Sequence, residues 1–185
     1  MSVFTDRQNS ALVVIDVQNE VVAGAYDLAK VVSNIGLAVE KARAAGVPVV
    51  WIQHNDAEII KGSQGWQIVD ELQPAQNEPR IDKSFRSSFE GTSLEATLEE
   101  LSVGHVYLCG MQTNICVRNT FHSALQSGYD VTVLTDAHTT TDYATADGEV
   151  PAKVLVNDLN GHLDGYELPG RKISSTSVSQ LDFEA

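Results

Sequence analysis

The sequence predicts an α/β fold, an open, doubly wound and mostly parallel sheet with helices on both faces, which makes three layers. Apolar runs such as ALVVID at residues 11–16 and HVYLCG at residues 105–110 have the length and composition of strands buried on both faces. Segments with apolar residues at three- and four-residue spacing lie between such runs, and strands that alternate with helices form parallel sheets. We interpret residues 1–185 as one domain, because no repeat, low-complexity tract or linker divides them.

The predicted elements follow one another in a regular order. Strands are predicted at residues 11–16, 47–53, 80–83, 105–110, 129–136 and, last, 172–178. Helices are predicted at residues 28–45, 93–101, 113–127 and within 147–163. Gly46 and Pro48 end the first helix, and Gly128 ends the third. The second helix starts with Thr-Ser-Leu-Glu at residues 92–95, which has the form of a capping box.

Three chemically complementary side chains fall where predicted strands end. Asp16 closes the first strand, Lys83 closes the third, and Cys116 follows the fourth. The carboxyl ends of parallel strands share one edge of the sheet, and ligands bind beyond that edge, near the point where the strand order reverses. We therefore expect the three side chains to lie together beside a crevice. The long segment 54–79 is expected to contribute to function, because long loops in compact domains usually do.

The composition excludes several classes of partner. Twenty-five acidic and twelve basic residues give a formal charge of -13, and the pI is near 4.6. Such a chain is repelled by phosphate backbones and anionic membranes, so we expect neither nucleic acid nor membrane as partner. No secretory signal or apolar run of transmembrane length is visible. Cys109 and Cys116 are not placed to form a disulfide, which favours a cytoplasmic location.

Cys116 is the candidate nucleophile. It lies in the first turn of the helix predicted at residues 113–127, where unpaired backbone N–H groups and the helix dipole favour a thiolate. A nearby Lys83 ammonium is expected to lower the thiol pKa further. Cys109 lies inside an apolar strand, and we assign it a structural role.

Each candidate residue also has an ordinary structural interpretation. A free cysteine such as Cys116 is most often a small buried apolar residue. An aspartate after a strand, as at Asp16, often caps a helix or braces a loop. Lys83 by itself has the character of a surface lysine. Only the combination of the three residues distinguishes a catalytic group from these alternatives.

Five segments in order resemble the isochorismatase-like cysteine hydrolases, a family that includes nicotinamidases and carbamoyl-amide hydrolases. The resemblance spans about residues 11–142. The segments are ALVVIDVQN (11–19), AAGVPVVWIQH (44–54), DKSFRSSFEGTSLEATL (82–98), GMQTNICVRNT (110–120) and GYDVTVLTDAHTT (128–140). The nicotinamidase-related branch of the family shares this pattern. By this resemblance Asp16, Lys83 and Cys116 match the aspartate, lysine and cysteine that act in catalysis.

The resemblance also implies how the residues act. It implies a cis peptide bond between Met111 and Gln112, with the backbone amides of Gln112 and Cys116 forming an oxyanion hole. Asp16 takes the thiol proton, and the thiolate attacks an amide-type carbonyl to give a thioester that water then hydrolyses. The protein supplies every group, so no organic cofactor is expected. The family resemblance further implies a homo-oligomer, a dimer or larger.

The sequence departs from the nicotinamidases in the segment after the second strand. Nicotinamidases carry an aspartate and two histidines there that bind a metal. This chain has Gln53, His54, Asn55 and Asp56 instead, and no second histidine follows before His105. His54 and Asp56 are too few ligands for a closed metal site, so we predict no metal and disfavour nicotinamide as substrate.

The predicted activity is hydrolysis of a small amide or carbamoyl-type C–N bond. By the resemblance, true isochorismatases lack the cysteine, because vinyl-ether hydrolysis needs no thiol, so Cys116 favours acyl chemistry. The alternatives are a non-acyl hydrolase of isochorismatase type and a non-catalytic binding relative. A thiol redox protein is disfavoured, because no CxxC pair is present.

Several residues near the expected crevice are predicted to bind substrate. They are Gln53, His54, Trp66, Phe85 and Asn114. Packing in the core is the alternative for each aromatic residue. For His138, a hydrogen bond that braces its loop is the expected role.

Overall fold

The structure is a computed structural model, and it describes residues 2–183. Its strands are β1 (Asn9–Ile15), β2 (Val49–His54), β3 (Arg80–Lys83), β4 (Val103–Met111), β5 (Asp130–Thr139), β6 (Tyr143–Thr145), β7 (Gly148–Val150) and β8 (Ile173–Thr176). Its helices are α1 (Leu28–Ala44), α2 (Leu94–Glu100), α3 (Arg118–Ser127) and α4 (Ala152–His162). A π-helical turn over Thr113–Val117 precedes α3.

Six strands form one parallel sheet in the order β3-β2-β1-β4-β5-β8. The chain runs outward from β1 to β3 and then returns to the other side of β1 with β4. The strand order therefore reverses between β1 and β4, which is where a ligand crevice is expected in such sheets. The predicted fold class is confirmed.

The helices cover both faces of the sheet and bury two apolar layers. Ile35 and Ala38 of α1 pack with Val14, Trp51 and other residues on one face. The opposite layer contains the inward residues of α2, α3 and α4, which are Leu94, Leu98, Phe121, Ala124, Leu125 and Leu159. The three- and four-residue spacing in the sequence reflects these inward stripes.

β1 and β4 come unusually close at the point where the strand order reverses. Gly110 pairs with Ile15, and its φ is 115°, a conformation that favours glycine. A Cβ atom added at residue 110 would lie 2.0 Å from the carbonyl oxygen of Ile15. Only glycine fits this contact, which brings the end of β1 against the end of β4.

The start of α2 differs from the predicted capping box. Ser93 makes no side-chain capping hydrogen bond, and the N–H of Leu94 donates to Thr92 Oγ1 at 3.1 Å. Glu95 does not turn back toward the helix start, because Arg7 and Tyr129 hold its carboxylate at 3.0 Å and 2.9 Å. Contacts between distant segments outweigh the local capping pattern here.

The helix predicted over residues 113–127 differs from the prediction, because it is divided into the π-helical turn and α3. The helix predicted within residues 147–163 is confirmed as α4, which begins at Ala152 after the hairpin of β6 and β7. Asp142 Oδ1 accepts a hydrogen bond from the Ala152 N–H at 2.8 Å, so the N-terminal capping group lies ten residues earlier in the chain.

Candidate active site

The structure brings Asp16, Lys83 and Cys116 together at the carboxyl edge of the sheet. Asp16 follows β1 directly and has a left-handed φ of 52°, Lys83 ends β3, and Cys116 lies in the π-helical turn after β4. Lys83 Nζ lies 2.7 Å from Asp16 Oδ2 and 3.2 Å from Cys116 Sγ. Residues from three separate elements thus form one contiguous group.

Asp16 is a fully buried carboxyl group with available lone pairs. Its side chain has almost no exposed surface. Lys83 Nζ lies 2.7 Å from Oδ2, within ion-pair and hydrogen-bond distance, and Cys116 is the other hydrogen-bonding neighbour of the carboxyl group. Burial raises the pKa of Asp16, and the charge of Lys83 opposes that rise. A buried carboxylate with open lone pairs is suited to accept a proton.

The thiol of Cys116 is harder to ionise than the sequence predicted. Burial raises the pKa of Cys116 to about 12, the negative charge of Asp16 adds to this rise, and Lys83 opposes it. The expectation of a lowered pKa was wrong, because it counted Lys83 and the helix start but not the burial of the thiol. Burial therefore favours the neutral thiol, whose ionisation requires a group that accepts its proton. The adjacent carboxyl group is that of Asp16.

Lys83 donates from a fully buried ammonium to three aligned acceptors. They are Phe85 O at 3.1 Å, Cys116 Sγ at 3.2 Å and His54 Nδ1 at 3.4 Å. β2 and β3 pair in parallel with His54 opposite Lys83, which places the two side chains next to each other. The surface-lysine interpretation of Lys83 is therefore wrong.

His54 uses both nitrogens of its imidazole ring. Nδ1 faces Lys83, and Nε2 lies 3.0 Å from Asp56 Oδ2. A metal-binding histidine needs one ring nitrogen with an open lone pair, so His54 and Asp56 do not fit the metal site of nicotinamidases. Within residues 2–183, no three His, Cys, Asp or Glu side chains are grouped to hold a metal ion.

Gln18 is a part of the site that sequence reasoning missed. It is fully buried, its Nε2 donates to the carbonyl oxygens of His54 and Trp66 at 2.9 Å each, and its Oε1 accepts from the His54 N–H at 2.6 Å. A buried side-chain amide requires hydrogen-bond partners. The signal in the sequence that could have indicated this role is the polar side chain two residues after Asp16. Gln18 thereby fixes the end of β2 relative to the end of β1.

Two of the predicted substrate-binding residues brace the loop after β2. Gln53 is buried, and its Nε2 donates to the carbonyl of Trp66 at 3.0 Å. Adjacent residues of a strand point to opposite faces, so Gln53 points away from the side of β2 that carries His54. The indole Nε1 of Trp66 is buried and has no hydrogen-bond partner within the described part of the chain.

The other predicted substrate-binding residues flank the trio. Phe85 lies two residues after Lys83, the residue is 59% exposed, and its carbonyl accepts from Lys83 Nζ. Asn114 lies in the π-helical turn with Cys116, and its Oδ1 accepts from Thr140 Oγ1 at 2.7 Å. The exposed ring of Phe85 is therefore a candidate contact surface, whereas Asn114 ties the turn to the segment after β5.

The backbone around Cys116 is held from two sides. The Met111–Gln112 peptide bond is cis, as the resemblance implied, and Gln112 O accepts from the N–H groups of Ile115 and Val117 at 3.0 Å and 3.1 Å. The bond from Val117 spans five residues and defines the π-helical turn. The oxyanion hole of Gln112 and Cys116 amides stays a prediction.

His138 braces this turn from β5, as expected. Its Nδ1 accepts from Thr113 Oγ1 at 2.9 Å, and its Nε2 donates to Asn160 Oδ1 at 2.9 Å. Burial lowers the pKa of His138, which favours the neutral ring that this pair of contacts requires. The side chain supports the start of the turn that carries Cys116.

None of the helices among residues 2–183 has both the length and the apolar character needed to cross a membrane. The longest, α1, carries polar and charged residues along its outer face, with Lys30, Glu40 and Lys41 among them. Its apolar stripe is buried against the sheet.

Two solved structures have the same fold. An isochorismatase from Pseudomonas putida KT2440 is 25% identical, with a TM-score of 0.85, over 94% of this chain and 90% of that chain. N-carbamoylsarcosine amidase from Thermoplasma acidophilum is 27% identical, with a TM-score of 0.72, over 95% of this chain and 99% of that one.

Sequence comparison identifies the family. The secreted isochorismatase effector Isc1 of Verticillium dahliae is 31% identical over 159 residues, which cover 82% of this chain and 84% of that protein. The model of the isochorismatase domain matches residues 10–149, and this range contains Asp16, Lys83 and Cys116. The chain belongs to the isochorismatase family of hydrolases.

Proposed function

We propose that this hydrolase cleaves a small amide or carbamoyl-type C–N bond through a thioester on Cys116. The observation that carries the proposal is the position of Lys83 Nζ, 2.7 Å from Asp16 Oδ2 and 3.2 Å from Cys116 Sγ. A buried base, a thiol and a cation in contact are the groups that nucleophilic acyl transfer requires. The similarity to N-carbamoylsarcosine amidase supports a C–N substrate.

The first half of the reaction forms the acyl-enzyme. The Cys116 thiol proton passes to the Asp16 carboxylate, and the sulfur forms a bond to the substrate carbonyl carbon while the carbonyl π electrons move to oxygen. The amides of Gln112 and Cys116 hold the oxyanion. The C–N bond then breaks, the leaving nitrogen takes the proton from Asp16, and the acyl group remains on sulfur.

Water completes the cycle. Asp16 takes a proton from the water molecule, and the resulting hydroxide oxygen adds to the thioester carbon. The C–S bond breaks, the carboxylic or carbamic acid leaves, and the proton on Asp16 returns to Cys116 Sγ. Lys83 stabilises the sulfur whenever it carries negative charge. No organic cofactor enters this sequence.

Substrate contact is assigned to the residues around the trio. We propose that the ring of Phe85 provides an apolar contact, because it is exposed. We propose that the indole N–H of Trp66 donates to substrate, because it is buried without a partner among the described residues. His54 and Asn114 border the same group, whereas Gln53 supports it through Trp66.

A second candidate is hydrolysis of a vinyl ether. The similarity to the isochorismatase effector Isc1 favours it. That reaction needs Asp16 as a proton donor or acceptor but no thiol nucleophile, so the two candidates differ in their need for Cys116. A non-catalytic binding relative would need neither residue, and the contact between Asp16, Lys83 and Cys116 disfavours it.

A substrate panel tests the proposal. Purified enzyme is incubated with small amides, ureas, carbamoyl compounds and vinyl ethers, and release of ammonia, amine or pyruvate-type products is measured, with Cys109→Ser as the matched cysteine control. Turnover of an amide or carbamoyl compound that Cys109→Ser retains and Cys116→Ser loses is the expected result. Turnover of vinyl ethers alone would contradict the proposal.

Two further properties are proposals of the same kind. We propose a cytoplasmic location, supported by the charge and the two unpaired cysteines, although the relative Isc1 is secreted. We also propose a homo-oligomer, because closed symmetric assemblies are common among soluble enzymes. Light scattering at micromolar concentration should return at least twice the chain mass of 20.0 kDa.

A further inference from the structure

The hydrogen bonds of Lys83 are fully allocated. An ammonium group has three N–H donors. Three aligned acceptors surround Lys83 Nζ, namely Phe85 O, Cys116 Sγ and His54 Nδ1. Asp16 Oδ2 is nearer still, at 2.7 Å, so four groups compete for the three N–H donors. How strongly the ammonium donates to each group therefore depends on which acceptors surround it.

Asp56 fixes the tautomer of His54. Hydrogen bonds from the Ile59 N–H, the His54 ring and the Glu58 N–H lower the pKa of Asp56 to about 2, so this group is a carboxylate and can only accept. Its Oδ2 lies 3.0 Å from His54 Nε2, which must therefore carry the hydrogen. Nδ1 then presents its lone pair to Lys83 Nζ, 3.4 Å away.

The imidazole is held in place by its backbone. Gln18 donates to the His54 carbonyl and accepts from the His54 N–H. Asp56 Oδ1 in turn accepts from the N–H groups of Glu58 and Ile59 at 2.8 Å each, which fixes the turn that carries Asp56. These contacts fix the backbone of His54 and the turn that carries Asp56, the partner of His54 Nε2.

We propose that His54 is a positioning residue, which takes one N–H of Lys83 and so limits how strongly the ammonium donates to Asp16 while another N–H points at Cys116. This inference rests on the proposed cysteine chemistry. Without the Nδ1 acceptor, the ammonium would rotate and donate more strongly to Asp16 Oδ2. That hydrogen bond would stabilise the carboxylate, weaken Asp16 as a base and withdraw support from the sulfur.

Two substitutions of His54 distinguish the effect of losing the hydrogen-bond acceptor from the effect of changing the size of the side chain. His54→Leu removes the acceptor, and His54→Asn places an amide oxygen near the position of Nδ1. His162→Leu is the matched control, because His162 is exposed and lies outside the site, at the end of α4. Circular dichroism and thermal unfolding establish that each variant is folded.

The first measurement needs no substrate. The rate of iodoacetamide alkylation at Cys116, followed by peptide mass mapping, should fall about tenfold in His54→Leu and stay within about threefold of the parent enzyme in His54→Asn and His162→Leu. Alkylation of His54→Leu at the parent rate, or equal slowing in the leucine and asparagine variants, would overturn the proposal.

The second measurement uses a substrate found in the panel. His54→Leu should reduce kcat by about tenfold with KM within about twofold, because Lys83 acts in the reaction and not in uniform substrate binding. A change in KM alone would show that His54 contacts substrate and would overturn its role through Lys83. If no amide is turned over, the proposed function fails, while the alkylation rates still decide the role of His54.

Discussion

Gln18 binds both polar groups of the His54 backbone, with Oε1 2.6 Å from the His54 nitrogen and Nε2 2.9 Å from the His54 oxygen. The same Nε2 donates to Trp66 O at 2.9 Å. One buried amide thus connects the end of β1, the end of β2 and the loop that follows. Asp16, two residues before Gln18, and Lys83, which contacts His54, both depend on this connection.

Substitution of Gln18 should therefore affect stability. Gln18→Leu keeps the approximate volume but loses three hydrogen bonds and leaves buried backbone groups unpaired, so we expect the free energy of unfolding to fall by about 3 kcal/mol. Urea unfolding measures this. Gln8→Leu, at an exposed position with one hydrogen bond, is the control and should change stability by less than about 0.5 kcal/mol. Equal effects of the two substitutions would contradict the role of Gln18.

Cys116 should be the thiol that reacts, despite its raised pKa. Cys109 is fully buried in β4, and burial raises its pKa further than that of Cys116, which is partly exposed and has Asp16 as an adjacent base. Iodoacetamide labelling with peptide mass mapping should modify Cys116 first. Asp16→Asn should slow this labelling, because the amide cannot take the proton. Preferential modification of Cys109 would overturn the assignment of the nucleophile.

The apolar pattern was sufficient to predict the sheet and the edge at which the candidate site lies. Continuous runs at residues 11–16 and 105–110 specify buried parallel strands, and chain order then places Asp16, Lys83 and Cys116 at their carboxyl ends. The single-domain assignment and the catalytic roles stay predictions.

Features that depend on contacts between distant segments were not predictable. The pKa of Cys116 depends on how deeply the turn is packed. Glu95 leaves its capping position because it contacts Arg7, which lies 88 residues away in the chain. Gln53 and His54 are adjacent in sequence, and only the register of β2 decides which one faces Lys83. The π-helical turn is set by backbone bonds that composition does not encode.

Acidification should destabilise the fold through His122. Burial, the nearby His162 and Arg118 lower the pKa of His122 below its ordinary value of 6.5. A histidine with a lowered folded-state pKa binds protons more readily in the unfolded chain, so its stabilising contribution is present above pH 6.5 and is lost as the pH falls through the lowered value. Urea unfolding at stepwise lower pH should show a smaller loss of stability for His122→Gln than for the parent protein. Parallel profiles would contradict this assignment.

Removal of metal should leave activity unchanged. Both nitrogens of His54 are engaged by Lys83 and Asp56, so the pair cannot hold a metal without losing these contacts. Dialysis against a chelator, followed by assay with a substrate from the panel, tests this. Activity that disappears and returns with zinc, manganese or iron would show a metal site that we do not predict.

Asp16, Lys83 and Cys116 should act as a unit, because each half of the reaction uses the thiolate and the carboxylate in succession. Cys116→Ala removes the nucleophile, Asp16→Asn removes the proton carrier, and Lys83→Ala removes the cation beside both. Each should lower kcat by about 10³-fold or more. A double variant should be little worse than either single one.

The most direct measurement is kcat of Cys116→Ala and Asp16→Asn on the same amide substrate, with circular dichroism as the folding control. Covalent acyl transfer predicts that both variants lose turnover to a similar extent, because neither a thioester nor its hydrolysis can form without both groups. Near-native turnover by Cys116→Ala together with loss in Asp16→Asn would contradict the thioester route and favour non-acyl hydrolysis.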